Sequence, residues 1–343
     1  MTLVVLKFGG TSLANTKLMN NAVVKVVQEV KAGKRVVVVV SAMAGVTDHL
    51  VNLVNEISDS KAYDNLAEYA SIITTGEQVS AGMFALLLQQ AGLRARSWLG
   101  FQAGIITDDK VADGNIIELR CEKISKSLEQ EYQVAVVAGF QGETLDNRIS
   151  TLGRGGSDTS AIILAGVLNA DRCDIYTDVE GVFTADPRIV AKARKLDHIN
   201  YDAMLAFASS GAKVLQAKSV EWAKHYQVKV QVLSSFTANI GTMVSKEAIS
   251  YPVIGIAISS DISLEYASSN LDLAKLSIIG ANIENNDKLI KYLQKVLDKA
   301  NIEVLYTVIK SKMIIAFIIK DEQKFNAIRL LHNMCKLEER LLN

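Results

Sequence analysis

The stretch that decides the fold is Leu3–Ser12, which reads LVVLKFGGTS. Its apolar first residues fit a buried strand, and Gly9 and Gly10 let the backbone approach a ligand without obstruction from a Cβ atom. Thr11 or Ser12 is placed to cap a following helix, which would bring free N–H groups and the positive end of a helix dipole to the same point. Together with the lysine of the stretch, these features predict a phosphate site, although a tight turn beside a surface lysine has the same signature.

The composition of the chain excludes several function classes. Its 343 residues are 49% hydrophobic, enough for one large and one small domain, and its zero net charge argues against nucleic-acid or membrane partners. The cysteines Cys121, Cys173 and Cys335 have no metal-binding or Cys-x-x-Cys spacing, as expected of reduced thiols. No apolar stretch approaches the length of a membrane span, and no signal-peptide pattern is present. We therefore expect a cytoplasmic protein.

Short β-branched runs alternate with helical patterns through the first 245 residues. This alternation favours an α/β fold with a mainly parallel sheet and helices on both faces, in which ligands bind at the carboxyl ends of strands. The predicted strands are Leu3–Leu6, Arg35–Val40, Val134–Phe140, Asp174–Thr177 and Val228–Leu233. The predicted helices are Ala14–Ala32, Gln78–Ala91, Asn115–Gln130 and Thr159–Leu168.

The pattern changes after a boundary that we place near residues 245–252, at Pro252. Beyond it the order is strand, helix, strand, strand, helix, with a further strand-like stretch around Val253–Ser260. The predicted elements are Ala274–Gly280, Lys288–Lys299, Ile302–Ile309, Lys312–Ile319 and Glu322–Cys335. We therefore expect a small α+β domain at the carboxyl end.

Three more segments carry the same glycine-rich and charged chemistry as the first stretch: Gly153–Asp158, Thr177–Arg188 and Gly211–Leu215. A P-loop pattern is absent, and so is a dinucleotide fingerprint, because Asp158 stands where the last glycine would be. In order and rough spacing, the four segments resemble those of the aspartate kinases in the amino acid kinase family. The resemblance covers the chain from its first residues to about residue 245.

The resemblance implies a fold and a reaction. Residues 1–245 would form a three-layer αβα catalytic domain, with a substrate lobe over about 1–165 and a nucleotide lobe over 166–245. Residues 251–343 would form a ferredoxin-like ACT domain, reduced from the family's usual tandem pair. The reaction would be ATP- and Mg²⁺-dependent phosphorylation of the β-carboxylate of L-aspartate to 4-phospho-L-aspartate. This is the first step toward lysine, diaminopimelate, threonine and methionine, and family members commonly form homodimers.

By resemblance, the catalytic residues would be Lys7, Asp158 and Lys213. The two lysines are candidates for the cations on the transferring phosphate, because phosphoryl transfer depends on positioning and charge neutralisation. The reacting carboxylate has an ordinary pKa near ~4, so it is already deprotonated at neutral pH and needs no general base. Asp158 is therefore expected to orient Lys7 or to help hold Mg²⁺, and no firm metal ligand is assigned.

The resemblance assigns the substrate to Thr47, Glu77, Arg154 and Ser157. A carboxylate at Glu77 suits the α-ammonium group of an amino acid, and the planar guanidinium of Arg154 suits its carboxylates. Local structure alone could also account for two of these residues, since Thr47 could be a helix cap and Glu77 a first-turn acid favoured by the helix dipole. We favour the functional interpretation for Glu77 because the whole motif matches.

The remaining assignments concern the nucleotide and its phosphates. The chain departs from the family's usual sequence at two places. Phe183 stands where the family commonly has tyrosine, and Gln216–Lys218 stands where it commonly has His-Pro-Arg. Ser41 could also serve only as a helix cap after its strand. The expected ATP and phosphate contacts are Lys7, Phe8, Gly9, Gly10, Ser12, Ser41, Gly155, Gly156, Thr177, Asp178, Phe183, Asp186, Arg188, Lys213 and Val214.

Two alternatives remain open at the level of sequence. The same fold could act on glutamate, N-acetylglutamate, carbamate or UMP, or the chain could be a non-catalytic regulatory subunit that binds an amino acid. An effector such as lysine or threonine would meet an altered site, because Ala281–Asn285 stands where effector-binding ACT domains often carry a Pro-Gly turn. The histidines show no spacing pattern and are predicted to be surface or core residues: His49, His198, His225 and His332.

Overall fold

A computed structural model describes residues 2–57, 66–212, 214–247, 251–260 and 272–339. The chain divides into two compact units. The first contains Met1–Glu180 and Glu221–Met243, and the second contains Gly181–Val220 and Val244–Asn343. The chain passes from the first unit to the second between residues 243 and 244, beside the boundary predicted from the sequence. The grouping of residues 181–220 with the carboxyl-terminal part was not predicted, and the division into substrate and nucleotide lobes stays a prediction.

The strands of the described residues are numbered in chain order. They are β1 (Leu3–Phe8), β2 (Arg35–Val40), β3 (Ala95–Trp98), β4 (Ile105–Thr107), β5 (Ile116–Leu119), β6 (Val134–Ala138), β7 (Gln141–Thr144), β8 (Ile149–Thr151), β9 (Arg172–Thr177), β10 (His198–Asn200), β11 (Val230–Ser234), β12 (Thr242–Ser245), β13 (Gly255–Ser259), β14 (Leu273–Ile279), β15 (Tyr306–Ser311) and β16 (Ile314–Lys320).

The helices are numbered in the same way. They are α1 (Thr16–Lys31), α2 (Val46–Ile57), α3 (Leu66–Ile73), α4 (Thr75–Gln90), α5 (Gly100–Ala103), α6 (Glu122–Gln130), α7 (Gly156–Val167), α8 (Tyr201–Ser209), α9 (Ala217–Tyr226), α10 (Asp287–Lys299) and α11 (Lys324–Met334). Short 3-10 turns occur at Gly10–Leu13, Ile283–Asn285 and Asp321–Gln323.

The first unit is built around a sheet with the strand order β12–β11–β9–β1–β2–β6–β3. From β11 to β3 all neighbours pair in parallel. The valines Val36–Val40 of β2 are fully buried, as expected for a strand covered on both faces. Alternate residues of β1 pack with α1 and α4 on one face, whereas α7 contacts β1, β2 and β9. This mostly parallel sheet between helices confirms the predicted fold class.

A smaller sheet in the first unit, of order β5–β4–β7–β8, corrects one prediction. The sequence pattern suggested a single helix over Asn115–Gln130, but Ile116–Leu119 pairs antiparallel with β4 and only Glu122–Gln130 is helical. The partner strand supplies hydrogen bonds that outweigh the local helical pattern. This sheet precedes the glycine-rich loop before α7 and therefore helps to position it.

The second unit contains an antiparallel sheet of order β13–β14–β16–β15. Apolar residues of α10 and α11 form a core with one face of this sheet, and α8 contacts β14. The predicted order of strand, helix, two strands and helix is therefore observed, although β15 begins at Tyr306 rather than at residue 302.

One helical run meets the length and composition criteria for a membrane span. Residues Leu66–Gln90 have a mean hydropathy of 1.2 over the best 18-residue window, and half of that window is buried inside the protein. The expectation that no stretch would qualify was therefore wrong. This is weak support for a span, because buried core helices have the same composition.

Candidate active site

A cavity of about 230 Å³ lies in the first unit, where β1 and β6 end and α7 begins. It brings together nine residues that the sequence predicted for the site, and two that it did not, Phe140 and Gly153. The lining residues are Lys7, Ser41, Thr47, Glu77, Phe140, Gly153, Arg154, Gly155, Gly156, Ser157 and Asp158. Its location agrees with the expected binding position at the carboxyl ends of parallel strands.

The charged centre of the cavity is an ion pair between Lys7 and Asp158. The Nζ atom lies 2.6 Å from Oδ1, and both side chains are almost buried. Lys7 belongs to β1, between Val39 of β2 and Ile175 of β9, so its backbone is fixed on both sides. Asp158 lies in the first turn of α7, where the helix dipole favours a carboxylate. The pair therefore fixes an ammonium group beside a helix amino terminus.

The loop that leads into α7 has a constrained backbone. Gly153 and Gly155 adopt positive φ angles of 72° and 75°, which glycine reaches without a Cβ penalty. Phe140 also has a positive φ, 70°, which is rare for a bulky residue, and its amide donates to the Ser160 hydroxyl at 3.2 Å. A Cβ atom on Gly156 would lie 2.9 Å from the Phe140 ring. Sequence patterns carry no signal for the Phe140 conformation, which explains why it was missed.

Glu77 presents an unusual carboxylate to the cavity. The residue is 4% exposed and lies in the first turn of α4. Its Oε1 accepts from the Ala42 amide at 3.0 Å, whereas Oε2 is buried and has no hydrogen-bond partner among the described residues. Burial raises the pKa of Glu77 to about 7, against the opposing effect of the Ala42 hydrogen bond. Among the described residues, the carboxyl group therefore leaves one oxygen unsatisfied, in a residue that lines the cavity.

Three further predicted substrate residues surround the cavity. Arg154 is exposed and makes no ion pair among the described residues, so its guanidinium is available to an anion. Ser157 is buried in the first turn of α7. Thr47 is half-buried in the first turn of α2. Ser157 and Thr47 thus lie at helix amino termini, a place suited to a carboxylate, and Arg154 directly precedes the N-cap residue of α7.

The stretch Gly9–Ser12 differs from the prediction in its capping. Neither hydroxyl caps α1, because Gly10–Leu13 forms a 3-10 turn and the side chain of Asn15 accepts from the Leu18 amide instead. The Ser12 hydroxyl is hydrogen-bonded to the Ser235 hydroxyl, and Ser12 lines a separate small cavity.

The neighbouring residues of this stretch also have structural roles. The Phe8 side chain is buried and stacks on Phe84 and Tyr176, which gives the ring a packing role in the core. Gly9 donates to the Tyr176 carbonyl at 3.1 Å, and the Phe8 carbonyl accepts from the Ser41 amide. A Cβ atom on Gly10 would lie 2.8 Å from the Ala42 carbonyl oxygen, which explains the glycine there.

The other predicted nucleotide residues fall in two places. Thr177 is the last residue of β9 in the first unit and Asp178 follows it, and the threonine hydroxyl donates to the aspartate at 3.1 Å. Phe183, Asp186 and Arg188 belong to the second unit. There Asp186 and the exposed Arg188 form an ion pair at 2.7 Å, and the carboxylate also accepts from the Arg188 amide, so this pair holds the pKa of Asp186 below its usual range.

The motif Gly211–Leu215 is only partly described. Val214 is half-buried in the second unit, whereas Lys213 lies outside the described residues. The roles assigned to these residues stay predictions.

Comparisons with known proteins identify the family of the chain. The model of the amino acid kinase family matches residues 2–234. An aspartokinase of Rickettsia bellii (strain RML369-C) is 41% identical over 290 residues, 83% of this chain and 71% of that protein. An aspartokinase of Bacillus sp. (strain MGA3) is 46% identical over 266 residues, 77% of this chain and 64% of that protein.

A solved structure has the same fold. The structure of E. coli aspartokinase III in complex with aspartate and ADP covers 96% of this chain and 99% of its own, with a TM-score of 0.80 and 23% identity. The family model and the two relatives each match most of this chain, and the fold is that of a solved aspartokinase. The chain therefore belongs to the amino acid kinase family and, within it, to the aspartokinases.

Proposed function

We propose that this phosphotransferase transfers the γ-phosphoryl group of ATP to the β-carboxylate of L-aspartate, giving 4-phospho-L-aspartate and ADP. One observation carries the choice of an amino acid substrate: Glu77 lines the cavity, and its buried Oε2 has no partner in the part of the chain that the structure describes. A buried carboxylate oxygen without a donor is costly, and an α-ammonium group supplies a charge-assisted donor. The names of the aspartokinase relatives indicate the same substrate.

The carboxylates of aspartate have two matching groups in the same cavity. The guanidinium of Arg154, which makes no ion pair with the described residues, is suited to a bidentate contact, and Ser157 lies at the amino terminus of α7. Together with Glu77, these residues would hold the ammonium and carboxylate ends of the substrate at once. We infer that this three-point contact fixes the direction in which the β-carboxylate approaches the phosphate, which supplies much of the rate acceleration.

Lys7 would neutralise charge on the transferring phosphoryl group. Its Nζ atom is already held by Asp158 at 2.6 Å, so the position of the cation is set before the nucleotide binds. The attacking carboxylate arrives ionised, since its ordinary pKa is near ~4, and the mechanism therefore needs no proton acceptor. In this proposal Asp158 orients Lys7 and takes no proton.

The residues of the cavity fit Mg²⁺ carried by ATP. Among the described residues, no group of three or more histidine, cysteine, aspartate or glutamate side chains is placed to bind a metal by itself. Mg²⁺ usually binds phosphate oxygens together with one or two carboxylates, and Asp158 supplies one carboxylate beside the phosphate-binding lysine. Bound there, the ion would neutralise phosphate charge.

By resemblance, the nucleotide would contact Thr177, Asp178, Phe183, Asp186 and Arg188. The exposed pair of Asp186 and Arg188 is worth little as a surface salt bridge, so phosphates can compete for the arginine. Lys213 and Val214 are assigned to the same nucleotide by resemblance.

The experiment that tests the proposal is a substrate panel. Purified protein with ATP and Mg²⁺ is offered L-aspartate, L-glutamate, N-acetyl-L-glutamate, carbamate and UMP, with ADP release measured in each. Acyl phosphate is trapped as hydroxamate, and lysine or threonine is titrated into the aspartate reaction. We expect hydroxamate with aspartate alone. Turnover with another acceptor, or nucleotide binding without any turnover, would contradict the proposal and favour the alternatives.

Three further statements stay predictions: the place of the product in amino-acid biosynthesis, a homodimeric assembly and a cytoplasmic location. A lysine or threonine effector is also a prediction. The turn that would contact it has no Pro-Gly pair and instead places Asn282 at a positive φ of 50°.

A further inference from the structure

The expected nucleotide segment Val182–Arg188 is built into the core of the second unit. Ala185 packs in the same apolar cluster as Ile256 of β13 and Leu331 of α11. The backbone of the segment also pairs with residues 194–196: the Thr184 amide donates to the Arg194 carbonyl at 2.9 Å, and the Val182 carbonyl accepts from residue 196. The position of this segment is therefore set by the carboxyl-terminal part of the chain.

Strand β13 contacts the segment directly. The Ile256 amide donates to the Thr184 carbonyl at 2.8 Å. Gly255 has no room for a side chain, since a Cβ atom there would lie 2.6 Å from the same carbonyl oxygen. The glycine of the second nucleotide motif, Gly211, approaches the same strand, and its Cβ atom would lie 2.8 Å from the Ile258 carbonyl oxygen. Both expected nucleotide motifs thus lie against β13.

A buried hydrogen bond from α11 completes this arrangement. The Nε2 atom of His332 lies 2.9 Å from the Thr184 hydroxyl, and both residues are buried. The same hydroxyl accepts from the Arg194 amide at 3.0 Å. Burial lowers the pKa of His332, which favours the neutral ring. In the neutral tautomer with an unprotonated Nε2, the ring accepts a hydrogen bond from the Thr184 hydroxyl, which then donates one bond and accepts another.

We propose that His332 is a positioning residue for nucleotide binding. Through Thr184 it would hold the segment Val182–Arg188 in place. Helix α11 would in this way contribute to the affinity of the enzyme for ATP. This inference rests on the nucleotide role of the segment in the proposed function. It assigns no contact between His332 and the nucleotide itself.

The test compares His332→Ala, His332→Gln and Thr184→Val in the full chain. For the alanine and valine variants we expect KM for ATP to rise about three- to tenfold, as for the loss of one buried hydrogen bond, with KM for aspartate unchanged. The glutamine variant, which places a polar atom near Nε2, should restore most of the affinity. The double variant His332→Ala with Thr184→Val should be no worse than either single variant. Direct titration with a fluorescent ADP analogue should show the same ranking.

Two variants on the same helix serve as controls. Asn333→Ala changes an exposed neighbour, and Ile328→Val removes one methyl group from the core of the unit but leaves the hydrogen bond between His332 and Thr184 in place. Ile328→Val should lower thermal stability but leave KM for ATP unchanged. The inference would be overturned if Ile328→Val raised KM for ATP as much as His332→Ala does. It would also be overturned if His332→Ala raised KM for aspartate by the same factor as KM for ATP.

The design separates this inference from the proposed reaction. If the wild-type protein phosphorylates no aspartate but His332→Ala still loses affinity for the ADP analogue, the acceptor assignment fails and the positioning role stands. If aspartate is phosphorylated and the variants keep wild-type affinity for ATP, the positioning role fails alone. If His332→Ala does not fold, KM for ATP is compared between Thr184→Val and His332→Gln. A raised KM in Thr184→Val with a near wild-type KM in His332→Gln supports the positioning role, and wild-type values in both contradict it.

Discussion

Replacing Glu77 with glutamine should stabilise the ligand-free protein at alkaline pH. The carboxyl group is buried, with one oxygen unpartnered, and burial raises its pKa to about 7. The folded protein therefore holds the proton more tightly than the unfolded chain does. An ionised Glu77 is a cost to folding, and glutamine keeps the shape of the side chain without the charge.

The size of the effect follows from the two pKa values. The difference between about 7 in the folded protein and 4.5 for the unperturbed side chain corresponds to roughly 3 kcal/mol, at about 1.4 kcal/mol per pH unit. Because the folded-state pKa is the higher one, this contribution is fully present below the unfolded value and is lost as pH rises through about 7. Between pH 5 and pH 8 the wild type should therefore lose about 2–3 kcal/mol that Glu77→Gln keeps.

The assay is urea unfolding at pH 5, 6, 7 and 8 without substrates, followed by tryptophan fluorescence. Both tryptophans, Trp98 and Trp222, belong to the first unit, as does Glu77, so the signal reports the relevant unit. Free energies of unfolding come from linear extrapolation. The matched control is Glu56→Gln, which neutralises an exposed carboxylate on α2.

We expect the stability difference between Glu77→Gln and the wild type to grow with pH, and that of Glu56→Gln to stay flat. A difference that is constant from pH 5 to pH 8 would refute the reasoning, because it would mean that Glu77 ionises in the folded protein as easily as in water. A loss of stability in Glu77→Gln at pH 8 would refute it too.

Three other predictions concern catalysis and packing. Lys7→Ala should lower kcat about 10³-fold or more, because the variant lacks the cation that neutralises the transferring phosphate. Circular dichroism should show that the variant keeps its fold. Robust residual turnover would show that Lys7 has no role in the mechanism. The value of kcat/KM for aspartate should fall as pH drops below about 7, because protonation of Glu77 removes the partner of the ammonium group, and a flat profile from pH 5.5 to 8 would contradict this. Gly10→Ala should destabilise the protein by about 1–3 kcal/mol in urea unfolding, because the new methyl group would clash with the Ala42 carbonyl oxygen. It should also raise KM for aspartate, because the Ala42 amide donates a hydrogen bond to Glu77. Wild-type stability and KM would show that the turn relaxes to accept the methyl group.

Much of the site was predictable because its residues occur in motifs at strand ends. Lys7 ends an apolar strand and Asp158 follows a glycine-rich loop, so a parallel sheet alone places them at one edge. Their ion pair follows from that placement. Arg154 and the buried Glu77 also line the same cavity. These features depend on local sequence and on the sheet order.

The features that sequence missed depend on tertiary contacts. The strand at Ile116–Leu119 exists because β4 offers it a partner. The positive φ of Phe140 is held by packing against Gly156 and by the Ser160 hydroxyl. The hydrogen bond between Thr184 and His332 joins residues 148 positions apart, and a histidine without a spacing pattern gave no sign of it.

The measurement that tests the central claim most directly is the effect of Glu77→Gln on the two Michaelis constants. If the cavity holds the ammonium group of aspartate on Glu77, KM for aspartate should rise about 10- to 100-fold, as for the loss of a charge-assisted hydrogen bond, and KM for ATP should not change. Equal changes in both constants, or no change in either, would contradict the assignment of this cavity to aspartate.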